Sequence, residues 1–274
     1  MYKRILTLSL AFILLAGCKT SRIAQQDTHS IDANYPVRDY AIQSLLWQQT
    51  SGEYKALAYQ AYNLARMELD EIIKNTDKRS KPLAVVTDID ETVLDNSPYA
   101  GKQLELNEDY NKERWIEWGE QVAAQPVPGS VEFFTYAKQH GVEMFYISNR
   151  YDQQKHETIA NLKKFGYPFT DEAHVLLRTT TGSKKERREQ VSKTHNIVML
   201  LGDNLSDFST VFENKSTNER NAEVNALKAD FGTKFIVLPN PTYGDWENKG
   251  IFEGRYDWTP QQRDSIMRKK VISY

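Results

Sequence analysis

Two aspartates stand one residue apart in Asp88-Ile89-Asp90-Glu91-Thr92, directly downstream of the apolar run Leu83-Ala84-Val85-Val86. At a strand end or in a tight turn their carboxylates come close together, and like charges that close need a cation or a shared proton. Magnesium suits such a place, being a hard ion held by one or two carboxylates, waters and a substrate phosphate. A calcium loop does not fit: counting from Asp88, position 6 is Val93 and position 12 is Tyr99, where an EF-hand requires Gly and Glu. Taken alone, the pair is better read as caps of the next element, and three further segments reverse that reading.

Ser148-Asn149-Arg150 follows the run Met144-Phe145-Tyr146-Ile147, and its hydroxyl and amide can donate hydrogen bonds to phosphate oxygens. Thr179-Thr180-Thr181-Gly182-Ser183-Lys184-Lys185 follows Val175-Leu176-Leu177. A lysine there either neutralises phosphate as a point donor or opens a solvated basic helix. Gly202-Asp203-Asn204-Leu205-Ser206-Asp207-Phe208 follows Ile197-Val198-Met199-Leu200-Leu201 and brings two more carboxylates, four residues apart. That spacing suits a metal. Asp207 alternatively reads as the N-cap of the segment behind it.

The elements that must position these residues are legible from periodicity. The four apolar runs, with Phe235-Ile236-Val237-Leu238, read as strands buried on both faces. Helical segments lie between them: Ser130 to His140, entered by Pro128-Gly129 and closed by Gly141, and Gln153 to Phe165, closed by Gly166. Strands alternating with helices predict an α/β fold with right-handed crossovers and a parallel sheet. Ligands of such sheets bind beyond the carboxyl ends of the strands, where all four polar segments fall. From Val37 to Asn75 the spacing of Leu45, Leu46, Tyr54, Leu57, Ala61, Leu64, Ala65 and Leu69 predicts one or two helices packed on a core made elsewhere. Ser97 to Gln125 is long, polar and aromatic, and reads as an insertion capping the carboxyl edge of the sheet.

The N-terminus reads as an address. Lys3 and Arg4 precede the apolar run Ile5 to Leu15, which is too short to span a bilayer stably and ends at Leu15-Ala16-Gly17-Cys18. This matches a bacterial lipobox, with residues 1–17 a cleaved signal, Cys18 the acylated new N-terminus, and 18–35 a polar tether. Lys19, rather than an aspartate, follows the cysteine, so the expected location is the cell envelope, lipid-anchored in the outer membrane. Cys18 is the only cysteine, so no disulfide is available and the core of an exported protein must hold alone. Cleavage removes Lys3 and Arg4 and takes the formal charge from −2 to −4, no footprint for a nucleic-acid polymer.

The ordered set DxDET, SNR, Lys and GDNxxDF resembles the haloacid dehalogenase superfamily of phosphotransferases, and within it the class C acid phosphatases of the lipoprotein e family, over nearly the whole mature chain. The resemblance implies a haloacid dehalogenase-like Rossmannoid parallel sheet with helices on both faces, plus a smaller, mainly helical cap or accessory domain. The implied division places the phosphatase domain at 36–274. Its core is 80–96 and 126–240, and its cap is 36–79, 97–125 and 241–274.

By the same resemblance Asp88 is the nucleophile and Asp90 the general acid and then base. Mg2+ is held by the Asp88 carboxylate, the Asp90 carbonyl, Asp203 and Asp207, while Ser148, Asn149 and Lys184 bind phosphate. Trp115 and Tyr243 correspond to the rings that stack on the organic part of the substrate, although these two and Trp118 also read as packing of the insertion on the core. The expected function is a broad-specificity phosphomonoesterase acting on nucleoside 5′-monophosphates and aryl phosphates, and the family suggests a homodimer. The alternatives are a narrow-specificity phosphatase or phosphotransferase, or a lipid-anchored ligand-binding protein on an inactive scaffold. The intact Asp88, Asp90, Lys184, Asp203 and Asp207 argue against the last.

Overall fold

The computed structural model describes residues 36–77 and 81–274, which belong to one compact unit. The signal segment, Cys18 and the tether lie outside the described residues. Five parallel strands form the sheet: β1 (Leu83–Thr87), β4 (Glu143–Tyr151), β5 (Val175–Arg178), β6 (Asn196–Gly202) and β7 (Phe235–Val237), in the order β5-β4-β1-β6-β7. Each apolar run of the sequence is one of these strands. A two-stranded antiparallel ribbon, β2 (Leu94–Asp95) with β3 (Gln125–Pro126), was not legible because two residues carry no period.

The strands are apolar throughout because both faces are covered. Their side chains alternate between two cores. Val85, Met144, Tyr146, Met199, Leu201 and Ile236 face one cluster, which includes residues of α2 (Gly52–Asn75), α5 (Ser130–Gln139) and α6 (Lys155–Lys164). Ala84, Val86, Phe145, Ile147, Leu200 and Phe235 face the other, with Val191 of α7 (Lys185–Thr194) and Val224 of α8 (Thr217–Ala226). The expected α/β sheet with helices on both faces is what the chain forms.

The N-terminal helical stretch divides at Ser51 into α1 (Ile42–Thr50) and α2, and the Ser51 hydroxyl caps α2 by accepting from the Tyr54 N–H at 3.1 Å. The buried face of α2 runs Tyr54, Ala58, Tyr62, Ala65, Leu69, while Leu57 and, in α1, Leu46 are exposed. The leucines of the expected stripe are therefore partly misassigned. Spacing alone allows neighbouring stripes, and α2 turns small alanines inward, where a helix can approach the core closely.

The insertion is pinned at its base by the β2–β3 ribbon and carries α3 (Ser97–Glu105) and α4 (Lys112–Glu120), the latter capped by Asn111, whose Oδ1 accepts from Arg114 N–H. The C-terminal part adds a π-helical turn over Trp246–Ile251 and α9 (Pro260–Lys270), capped by Thr259. Arg38 ties these pieces together. It donates to the Thr242 carbonyl at 3.1 Å and lies 3.7 Å from Glu247 and 3.8 Å from Asp109, and Asp109 also pairs with Arg263. The N-terminal segment, the insertion and the C-terminal part thereby become walls around one cleft.

Candidate active site

The carboxyl ends of β1, β4 and β6 open into a cleft of about 470 Å³, a size usual for small-molecule sites. The Asp88 N–H donates to the Leu201 carbonyl at 2.9 Å, so Asp88 continues the ladder by one residue. The chain then turns sharply: the amides of Thr92, Val93 and Leu94 all donate to the Ile89 carbonyl, and Glu91 takes a left-handed φ of 56°. This turn separates the two aspartates of the motif into different environments.

Carboxylate oxygens of Asp88, Asp203 and Asp207 lie within 4.8 Å of one another. Lys184, almost wholly buried at the start of α7, donates to Asp88 and lies 2.7 Å from Asp207 Oδ1. Asp203 accepts from Asn240 at 2.8 Å and from the Thr92 hydroxyl at 3.3 Å. Asp207 closes a turn as well, accepting the Asn204 N–H at 3.0 Å through its second oxygen, so it caps backwards rather than serving the segment behind it. Three carboxylates against one lysine leave a buried net negative charge. Burial, then repulsion from Asp207 and Asp90 opposed by Lys184, pushes the Asp88 carboxyl up to about 7. Burial, Asp207 and Asp88 hold Asp203 well above the usual range. Lys184, which burial alone would pull down, is held above its ordinary value by Asp207 and Asp88. All-oxygen donors, excess negative charge and raised carboxyls suit a hard divalent cation held by Asp88, Asp203 and Asp207.

The Asp90 carboxylate is not in this group. It accepts from Ser148 Oγ at 3.1 Å, Asn96 Nδ2 at 2.9 Å and Arg150 Nε at 2.8 Å. Ser148 is thus fully buried with its hydroxyl on Asp90, whereas Asn149 and Lys184 line the cleft. Arg150 had no role in the sequence reading, although it completes the Ser148-Asn149-Arg150 motif. It is 3% exposed and also donates to Asn96 Oδ1, which takes a second bond from Trp118 Nε1 at 2.9 Å. Asp90 is thus paired with a buried guanidinium.

Of the two expected stacking rings, both line the cleft. Trp115 sits edge-on to Tyr99, with 5.0 Å between ring centroids, and the Arg150 guanidinium lies 5.6 Å from its ring centre. Tyr243 is held by its hydroxyl, which donates to Glu91, a wholly buried acid whose other oxygen accepts the Asn96 N–H at 2.7 Å. Burial, then Asp90, Asp203 and Asp95, push Glu91 well above its ordinary value. Trp118, bonded to Asn96, is the ring that packs the insertion on the core.

Gly202, where β6 ends, has a specific reason to be glycine: a Cβ would lie 2.5 Å from the Asp207 carboxylate. Gly202→Ala is expected to displace Asp207, lowering divalent-cation affinity about 10- to 100-fold. It should also cost about 1–3 kcal/mol in a urea titration. An unchanged affinity by calorimetry would mean Asp207 is not a ligand.

The comparisons agree with this geometry. The family model for the HAD superfamily, subfamily IIIB (Acid phosphatase), matches residues 4–246. The class C acid phosphatase from Bacillus anthracis superposes with a TM-score of 0.82 at 41% identity, covering 87% of this chain and 99% of that one. Vegetative storage protein 1 of Arabidopsis thaliana is 28% identical, over 83% of this chain and 76% of its own. Acid phosphatase 1 of Solanum lycopersicum is 27% identical, over 65% and 68%. With its family matched across most of its length, the chain belongs to subfamily IIIB of the haloacid dehalogenase (HAD) superfamily, the acid phosphatases.

Proposed function

We propose that this acid phosphatase hydrolyses nucleoside 5′-monophosphates and aryl phosphates broadly, through an aspartyl-phosphate on Asp88 and with Mg2+. The observation that carries the reading is the division of labour between the two motif aspartates: Asp88 sits with Lys184 in the carboxylate cluster, and Asp90 sits outside it under three donors. An Asp88 oxygen forms the bond to phosphorus as the bond to the leaving oxygen breaks, and Asp90 gives that oxygen its proton. Water then attacks the same phosphorus, Asp90 takes a proton from it, and the Asp88–phosphorus bond breaks to release inorganic phosphate. Lys184 and Asn149 steady the phosphate oxygens, the positioning and electrostatics that dominate phosphoryl transfer. Mg2+, when bound, screens the carboxylates from the phosphate.

Breadth is inferred from the cleft walls. Trp115 and Tyr243 offer ring faces, which tolerate any base or aryl group because stacking does not read its edge. Trp115→Ala and Tyr243→Phe divide that inference. The first is expected to raise KM for an aryl phosphate and for several nucleoside 5′-monophosphates alike by about tenfold, the value of a lost base stack. The second keeps the ring and should leave KM near wild type unless the Glu91 bond orients it. Steady-state kinetics that show activity on one nucleotide alone would replace breadth by narrow specificity.

A further inference from the structure

The aromatic wall does not stop at Trp115. Tyr99 packs against both Trp115 and Tyr110, the latter at 6.4 Å between centroids, and the Tyr110 hydroxyl meets the Tyr151 hydroxyl at 3.0 Å. At the inner end of this wall Arg150 is fully engaged by Asp90 and Asn96. At the outer end the guanidinium of Arg178, the last residue of β5, lies 4.3 Å from the Tyr151 ring centre, and Lys112 Nζ lies 4.7 Å from the same centre. The two cations are therefore no more than about 9 Å apart, a separation salt screens only partly.

Neither has a carboxylate partner among the described residues, unlike Arg38, Arg150 and Arg263, which line the same cleft. Like charges at this distance disfavour each other, and Tyr151 offsets that only by the modest attraction of a ring face. Two hydroxyls paired head to head also leave one proton free, since only one of them donates to the other. Arg178, Tyr110 and Tyr151 all line the cleft that holds Asp88.

We propose that Arg178, with Lys112 and the Tyr110 and Tyr151 hydroxyls, forms a second anion subsite at the mouth of the cleft. The favoured substrates are then phosphomonoesters whose leaving group carries a second phosphate. The inference rests on the reading of Asp88 as the group that meets the first phosphate. A leaving group lying along the wall from Trp115 brings its distal phosphate to Arg178, where a planar guanidinium binds phosphate oxygens in pairs.

The test compares adenosine 5′-monophosphate, adenosine 3′,5′-bisphosphate and phenyl phosphate as substrates of the wild type, Arg178→Ala and Lys112→Ala with Mg2+. Wild type should show a KM for the bisphosphate about tenfold below that for the monophosphate, as a charge-assisted contact predicts. Arg178→Ala should remove this advantage and leave phenyl phosphate turnover within about twofold. Lys112→Ala should act in the same direction and more weakly, because Lys112 is exposed. Equal losses on all three substrates would mean general steering of phosphate and overturn the subsite, as would a bisphosphate no better than the monophosphate. If the wild type turns over none of them, the reading of Asp88 fails instead. Equilibrium binding of the bisphosphate to Asp88→Asn, with and without Arg178→Ala, then still decides the subsite: no change in affinity overturns it.

Discussion

Asp88→Asn is expected to abolish phosphate release from every substrate, by at least about a thousandfold in kcat, since in the proposed mechanism it removes the nucleophile and leaves only binding and electrostatics. Asparagine keeps the shape of the side chain and can still hydrogen-bond, so the fold should be retained. The sharper readout is the pH dependence of stability. The Asp88 carboxyl titrates near 7 in the folded cation-free protein and near the ordinary 3.8 when unfolded. Between those values the native state binds the extra proton, so stability falls as pH rises from about 4 through 7 and is greatest at the acid end. Asparagine has no proton to lose. Its urea midpoint in chelator should therefore decline less than that of wild type over this window. A mutant that retains activity would remove Asp88 from the chemistry, and a decline as steep as wild type would place the titration on Asp203 instead.

Removing the divalent cation should have the next largest effect. Chelator is expected to reduce phosphate release more than about a hundredfold, because an uncompensated carboxylate cluster both repels the phosphate and holds the Asp88 proton. Restoring Mg2+ at about 100 times its dissociation constant contributes about 2.7 kcal/mol, which for a chain of this size raises Tm by roughly 5–10 °C. The sign with pH follows from the raised carboxyls. Ligands must be deprotonated to bind, so the Mg2+-induced rise should be larger at pH 7.5 than at pH 5. Differential scanning calorimetry at the two pH values checks this. No stabilisation at either pH would mean that the cluster holds no Mg2+.

The two effects share a cause in the layout of the fold. Parallel strands deliver Asp88 and Asp203 from adjacent ladders, since β1 pairs with β6 and each strand ends one residue before its aspartate. Lys184 arrives at the head of α7, and the Asp207 turn folds back onto the end of β6. The cluster is thus assembled by backbone elements with large buried cores on both sides, and side-chain freedom at the site is small.

The local parts of this protein are legible in its residues. Five apolar runs are strands because a strand buried on both faces needs every residue apolar, and the polar motifs follow those runs because each is one strand and the turn behind it. Asp88, Lys184, Asp203 and Asp207 could be found in this way. Contacts between residues far apart in the chain arise on folding, and no spacing exists from which to read them. Arg150 reaches Asp90 across 60 positions, Tyr243 reaches Glu91 across 152, and Tyr40 reaches Glu247 across 207. The same holds for Ser148, whose hydroxyl could be assigned to phosphate from its motif but turns to Asp90 once β4 lies beside β1. The rim of Arg178 and Lys112, without a carboxylate partner among the described residues, is likewise a product of folding, because pairing is a property of the surroundings and not of the residue.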